Sequence, residues 1–265
     1  VPRQFHSKQL WQMLEEPLRS RALRFAARLE PAFLDAATVE ALLELVHLGD
    51  PEMLDLFWQV RGSEKHPLNA EALNGVLRKM GVAERDLKWT EWIRKNQDGV
   101  FQDFENLEKR WRGMLFRTGD QLRARWVMWT LTSTVRRLRN QATRVLYWYG
   151  RVDPEGLFEL TIDSLGVNDP YVGERMLAAT YGVVMSHQKP DSVFEAHLTQ
   201  LLGMLEASLV SPSATAPTNH YLTRLYMRGI VAFAERFCPA SLPNRLRRSW
   251  SFVSPASVSP ISKSD

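Results

Sequence analysis

Apolar side chains recur along the chain every three or four residues, which is the spacing that lines one face of an α-helix. In the segment 39–46, for example, Val39, Leu42 and Val46 would lie on one side of such a helix. No stretch of comparable length alternates strictly between apolar and polar positions, as a half-buried strand does. The pattern therefore predicts an all-α chain of about eleven or twelve helices joined by short connections.

Capping residues mark several of the expected helix starts. Asp35 and Asn69 each precede an apolar-periodic segment, where a short polar side chain accepts hydrogen bonds from the first backbone N–H groups. Asp50–Pro51 combines such a cap with a proline at the first helical position. Pro17 interrupts the first long segment, so we expect it to kink or split that helix. The hydroxyl-rich cluster 130–134 is expected to cap the helix that follows it.

Two features of these helices favour a repeat architecture. The segments 126–129 and 145–149 are apolar on more than a narrow stripe, so each needs neighbours on more than one face. Helix–loop–helix units also recur at intervals of about 35–45 residues. We therefore expect an α-solenoid of degenerate helical hairpins of the HEAT/TPR kind. Its expected parts are an N-terminal helical segment that continues an upstream solenoid (1–68), a helical repeat region (69–238) and a Pro/Ser-rich tail or linker (239–265).

Charge is distributed unevenly along the 265 residues, whose formal net charge is +4. Residues 119–151 contain seven arginines and one acid, Asp120, whereas residues 152–210 contain nine acids and two bases. In one interpretation, neighbouring helices neutralise each other. In the other, the basic block forms an electropositive surface for an acidic partner or for nucleic acid.

The motifs of common enzyme classes are absent from the sequence. The dipeptide Gly-Lys never occurs, which excludes a Walker A loop, and no two histidines lie three or four residues apart, so no helical zinc face is present. The single cysteine, Cys238, excludes a multi-cysteine zinc site and favours a reducing, cytoplasmic setting. No apolar stretch reaches the ~18 residues of a membrane span. We expect neither catalysis, nor a cofactor or metal, nor a membrane partner for this chain.

Four segments have a distinctive order and spacing. Arg85–Trp92 reads RDLKWTEW, Trp129–Thr143 reads WTLTSTVRRLRNQAT, and Asn168–Arg175 reads NDPYVGER. His220–Ile230 follows as HYLTRLYMRGI. Together they resemble the helical repeat region of the large antiphage STAND ATPases, the AVAST-type immune sensors. The resemblance covers about residues 69–237.

This resemblance implies that the chain is the sensor segment of such an ATPase. In that family the solenoid binds a phage protein such as terminase or portal, and binding releases ATP-driven oligomerisation that activates an effector, often a nuclease. The ATPase and effector would lie outside this chain, so oligomerisation would depend on the missing ATPase domain. The sequence departs from the family pattern at Asn140, where an aspartate is expected, and at Leu225, where an Arg-Asp pair is usual. These departures remove acids that would pair with arginines of neighbouring repeats.

The candidate functional residues come from these segments. Residues expected to bind a partner or to pair between repeats are Arg136, Arg137, Arg139, Arg144, Asp169, Tyr171, Glu174, Arg175, Arg224 and Arg228. Asp169 is also a good N-cap for the helix that Pro170 begins. The tryptophans expected to have a structural role are Trp89, Trp92, Trp126 and Trp129.

Two alternatives to the sensor remain at this point. A HEAT-like solenoid would bind nucleic acid through an arginine-rich face, with affinity that falls steeply as salt increases. The arginines of that face would be Arg123, Arg125, Arg136, Arg137, Arg139 and Arg144. The adjacent acidic block argues against it, since it would repel a polyanion. The other alternative is a plain protein-interaction scaffold.

Overall fold

The computed structural model describes residues 7–211, 213–215, 217–218, 220–244 and 246, and throughout this part the regular secondary structure is helical, without strands. This confirms the all-α class. The helices are α1 (Ser7–Met13), α2 (Leu18–Ala26), α3 (Ala36–His47), α4 (Pro51–Val60), α5 (Ala70–Lys79), α6 (Val82–Arg85), α7 (Glu91–Lys95), α8 (Gln97–Arg112), α9 (Asp120–Thr130), α10 (Arg136–Val152), α11 (Pro154–Ser164), α12 (Pro170–Ser186), α13 (Ser192–Leu205) and α14 (Tyr221–Phe237).

Helix starts agree with the capping residues of the sequence. Asp35 accepts a hydrogen bond from the Thr38 backbone N–H at 2.9 Å, and Asn69 accepts one from the Glu71 N–H at 3.0 Å. These bonds satisfy N–H groups that have no partner within the helix. The first long segment is split at Pro17, since α1 ends at Met13 and α2 begins at Leu18.

The hydroxyl cluster 130–134 does not cap α10 as predicted. The cap position is held by Val135, which makes no side-chain cap hydrogen bond. Thr130 and Thr132 instead donate to backbone carbonyls of the preceding helical turn, those of Val127 and Trp129, at 2.6 and 2.9 Å. The hydroxyls therefore complete the end of α9, because its last carbonyl groups lack helical partners of their own.

Four buried tryptophans form the centre of the core around α9. Trp126 and Trp129 are 0% exposed, and α9 packs against α5, α10 and α11, as its apolar sequence requires. A π-helical turn, Asp86–Thr90, joins α6 to α7 and lets Trp89 and Trp92 stack with ring centroids 5.5 Å apart. Trp89 donates its indole N–H to the Trp129 carbonyl at 3.0 Å, so the buried ring has its polar group satisfied.

Helices α8 and α10 lie side by side in parallel. Arg137 packs over Phe101, Arg144 bonds to Glu108, and Arg112 packs over Trp148, so each contact joins positions 36 residues apart. A constant separation means that the two helices run in the same direction and in register. This ladder is typical of stacked helical repeats, although the solenoid arrangement of the chain as a whole stays a prediction.

The chain clusters into two compact units, residues 1–180 and 181–265, and the division falls inside α12. In the second unit, Leu242 and Leu246 are buried, so packed structure extends past residue 238, where the sequence indicated a tail. The rest of that expected tail, residues 247–265, lies outside the described residues. The first unit contains the candidate residues from Trp89 to Arg175, and the following geometry concerns that unit unless stated otherwise.

Candidate protein-binding face on helices α8 and α10

The first turns of α10 present three arginines to an open groove beside α8. Positions 136, 137, 140, 141 and 144 share one side of a helix, because residues three or four apart are neighbours on its surface. With Glu105 of α8 they surround a cavity of about 710 Å³. We call this set of residues the arginine groove: Glu105, Arg136, Arg137, Asn140, Gln141 and Arg144.

The guanidinium groups of the groove are open to solvent, and two of them are held in place by side chains of α8. The Arg137 guanidinium lies 4.9 Å from the centre of the Phe101 ring, a cation–π contact that holds it in place. Arg144 donates from Nε to Glu108 at 2.9 Å, yet its side chain is 57% exposed. Arg136 is exposed as well. Such groups are suited to binding carboxylates or phosphates of a partner.

Arg139, although close in sequence, points to a different environment. It donates to the Ser133 carbonyl at 2.6 Å and lies 4.9 Å from the centre of the Tyr171 ring. On the other side, Arg175 of α12 donates to the Asn140 side-chain oxygen at 2.9 Å. These contacts connect α10 to α12, so Arg139, Tyr171 and Arg175 serve packing between helices. The amide of Asn140 thus accepts at the position where the resemblance led us to expect an aspartate.

Arg85 connects three of the four segments of distinctive order and spacing within the core. Its side chain is fully buried and donates to the Asn168 oxygen at 2.5 Å. A second guanidinium nitrogen lies 3.6 Å from the Asp169 carboxylate, and the group packs 5.6 Å from the centre of the Trp129 ring. The segments 85–92, 129–143 and 168–175 therefore meet in space. What the three segments share is that their residues pack around the buried Arg85 side chain.

Asp169 acts both as a helix cap and as the partner of Arg85. Its carboxylate accepts from the Tyr171 backbone N–H at 3.0 Å, as an N-cap does. Burial raises the pKa of Asp169 above the usual aspartate value, while the Tyr171 N–H and the Arg85 cation act in the opposite direction. Glu174, one turn later, is also buried, and one of its oxygens lies 3.6 Å from Arg175 Nε. Both acids therefore face the protein interior rather than a partner.

Arg224 and Arg228 lie on α14, in the second unit. Arg228 is exposed, whereas Arg224 is half-buried. They stand one helical turn apart, as their spacing predicted.

Part of the basic block is neutralised by acids of neighbouring elements and by Asp120 of α9 itself. Arg125 lies 2.5 Å from Asp163 of the acidic block and 2.8 Å from Glu71. Arg123 contacts Asp120 at 3.3 Å. Two of the six arginines proposed for a nucleic-acid face are thus held in ion pairs away from α10, which favours the neutralising interpretation for α9.

Asp120 was not among the candidate residues, yet the structure makes it a centre of contacts. It is fully buried and accepts from four donors: the Arg110 and Arg123 side chains, the Trp111 indole N–H at 2.8 Å and the Arg117 backbone N–H at 3.0 Å. In the sequence, Asp120 stands out as the one acid of the basic block 119–151, and one of its four donors, Arg123, belongs to that block. A carboxylate isolated in a basic block is a candidate for such multiple pairing.

Among the described residues, no three His, Cys, Asp or Glu side chains lie together as metal ligands would, and none of the helices has the length and apolarity needed to cross a bilayer. Comparisons of the chain with models of protein families, with curated proteins and with solved structures found no match. The candidate function therefore depends on the geometry of this face and on the resemblance of the four segments.

Proposed function

We propose that the chain is a protein-binding helical segment, the sensor segment of an antiphage STAND ATPase that binds a phage terminase or portal protein. The observation that carries the binding role is the arginine groove. Exposed guanidinium groups, positioned by Phe101 and Glu108, suit an acidic surface of a folded partner. The phage identity of the partner comes from the resemblance of the four segments.

The remaining parts of the sensor proposal lie beyond this chain. Binding of the phage protein would release ATP-driven oligomerisation of the whole protein and activate its effector. The chain itself would supply recognition only, in a cytoplasmic setting and without a cofactor.

The second candidate function is nucleic-acid binding, and the same groove is the observation that favours it. Arg136, Arg137 and Arg144 are exposed on one side of α10, as phosphate-binding residues would be. Three outward cations are few for a phosphate-binding surface, and Glu105 and Glu108 border them. We therefore rank protein binding first.

The experiment is capture of proteins from phage-infected lysate on the immobilised chain, in low and in high salt, with identification by mass spectrometry. The test variant is Arg136→Gln/Arg137→Gln/Arg144→Gln, which removes three positive charges from the groove. The control variant, Arg21→Gln/Lys65→Gln/Lys79→Gln, removes the same charge at three exposed positions elsewhere.

The proposal expects one large virion-assembly protein to be enriched by the wild type and the control in both salt conditions. Loss of that protein with the groove variant assigns binding to the groove. Capture of nucleic acid alone, with loss of that capture in high salt, would contradict the proposal and support nucleic-acid binding, the second candidate function. Equal capture by the groove variant would show that binding occurs on another face.

A further inference from the structure

The loop that follows α8 exposes three consecutive large apolar side chains. Met114, Leu115 and Phe116 are 59%, 57% and 47% exposed. Isolated exposed apolar residues are ordinary, but such a run at one loop tip indicates a surface that another molecule covers. We call these three residues the apolar tip.

The backbone of this loop is fixed rather than loose. The Leu115 N–H donates to the Arg110 carbonyl at 3.2 Å, and the Met114 N–H donates to the Trp111 carbonyl at 2.9 Å. This is the hydrogen-bond pattern of a Schellman motif, in which the residue after the cap takes the left-handed conformation. Glycine usually occupies that position, but here Met114 does, at φ 57°. The chain therefore keeps a strained methionine where glycine would be more stable.

Exposed cations flank the apolar tip along the chain. Lys109, Arg112 and Arg117 are exposed, and Arg112 packs over the Trp148 ring at 5.4 Å. The complementary surface is a depression that combines apolar side chains with carboxylates.

A depression of that kind exists in the same unit. Leu122 and Leu160 line a pocket of about 320 Å³, together with Glu64, Glu71 and Glu159 and with the neutral polar residues Asn69 and Gln121. One cation, Arg125, also lines it, but it is already paired with Glu71 at 2.8 Å. The volume is on the order of ten water molecules, which is sufficient for two apolar side chains. We call it the acidic pocket.

The apolar tip and the acidic pocket lie at the same end of the unit. The backbone N–H of Gly119, two residues after Arg117, donates to Glu64 of the pocket at 3.2 Å. Phe116 stacks on Tyr149, with ring centroids 6.5 Å apart, and the Tyr149 hydroxyl donates to Asp153, the cap of α11. Two copies related by a two-fold axis at this end would each place a tip against the other copy's pocket.

We infer that the chain forms a two-fold dimer in which Met114 and Leu115 of one copy enter the acidic pocket of the other. Lys109, Arg112 and Arg117 then face Glu64 and Glu159 across the interface. This inference is independent of the phage ligand, since the occupant is a second copy of the chain.

The first test is sedimentation equilibrium of the full chain from about 1 μM to about 1 mM, the range of weak specific association. The average mass should rise toward twice the 30.5 kDa of one chain. Leu115→Ser should weaken association about tenfold or more. Leu87→Ser is the matched control, because Leu87 is 79% exposed on another element, and it should leave association unchanged.

Met114→Gly separates loss of binding from loss of folding. Glycine removes the left-handed strain, so the variant should melt at a higher temperature than the wild type when both are measured at about 1 μM, where association does not add to stability. It should still dimerise more weakly at higher concentration. A variant that gains stability and loses association cannot owe that loss to misfolding. A lower melting temperature, or undiminished association, would contradict the inference.

Charge reversal tests the reciprocal contact. Arg117→Glu and Glu159→Arg should each weaken self-association, because each places like charges opposite one another. An equimolar mixture of the two variants should restore the dimer, since both contacts then join opposite charges.

Three results would overturn the inference. The wild type could stay monomeric over the whole concentration range, or the mixture of charge variants could fail to recover association. The third is a monomer that binds phosphatidylcholine vesicles containing phosphatidylglycerol through Leu115, which would assign the tip to an anionic lipid surface.

Discussion

Replacement of Asp120 by asparagine is expected to destabilise the first unit strongly. All four groups that contact its carboxylate are donors: two guanidinium groups, an indole N–H and a backbone N–H. An asparagine has only one acceptor oxygen, so its NH₂ group must face two of these donors. The carboxylate is fully buried, and water cannot replace the lost acceptor there.

The magnitude follows from the number of bonds lost. Hydrogen bonds to a charged group contribute about 1.5 kcal/mol each at the lower end, and two are lost, so we expect about 3 kcal/mol. That value lies at the lower end of the range for breaking a buried ion pair, in keeping with the partial exposure of the Arg110 and Arg123 side chains, 17% and 28%.

The assay is urea unfolding followed by tryptophan fluorescence. Eight of the nine tryptophans lie in residues 1–180, so the fluorescence reports chiefly on the first unit. Glu91→Gln makes the same chemical change at a carboxylate that pairs with the exposed Arg94, and it should shift the midpoint far less. A loss below about 1 kcal/mol for Asp120→Asn would refute the assignment of Asp120 as a buried acceptor of four bonds.

Three further predictions concern the contacts of α10 and α12. Asn140→Asp should stabilise the first unit by about 0.5 kcal/mol, because it gives Arg175 a charged acceptor, and a lower urea midpoint would contradict it. Arg85→Met should destabilise it by about 3 kcal/mol, since it leaves the buried Asp169 carboxylate without its cation, and an unchanged midpoint would refute that pairing. The raised pKa of Asp169 means that the folded state binds its proton more tightly than the unfolded state does. The stability of the wild type relative to Asp169→Asn should therefore increase as pH falls from neutral toward the aspartate range. Urea midpoints of both proteins along a pH series check this, and the opposite trend would contradict the raised pKa.

Local features of the fold were readable from the sequence. The helical class follows from apolar spacing, and the starts of α3 and α5 follow from Asp35 and Asn69, because a cap acts on backbone groups two or three residues away. The split at Pro17 is equally local. The hydroxyl cluster before α10 failed as a cap prediction, because Thr130 and Thr132 had backbone acceptors in the turn behind them.

The roles of the arginines were decided by tertiary structure. Arg137 and Arg139 lie two positions apart in one basic segment, yet one lies over Phe101 on the groove and the other bonds to Ser133 and packs against Tyr171. Their residue type is the same, and the difference comes from which helix packs against each side of α10. Similarly, Arg85 donates to Asn168, 83 residues away, and no local rule pairs positions so distant. The sequence by itself determined where helices form, because helix formation depends on near neighbours; which charges are buried and which face outward was decided only when the helices packed.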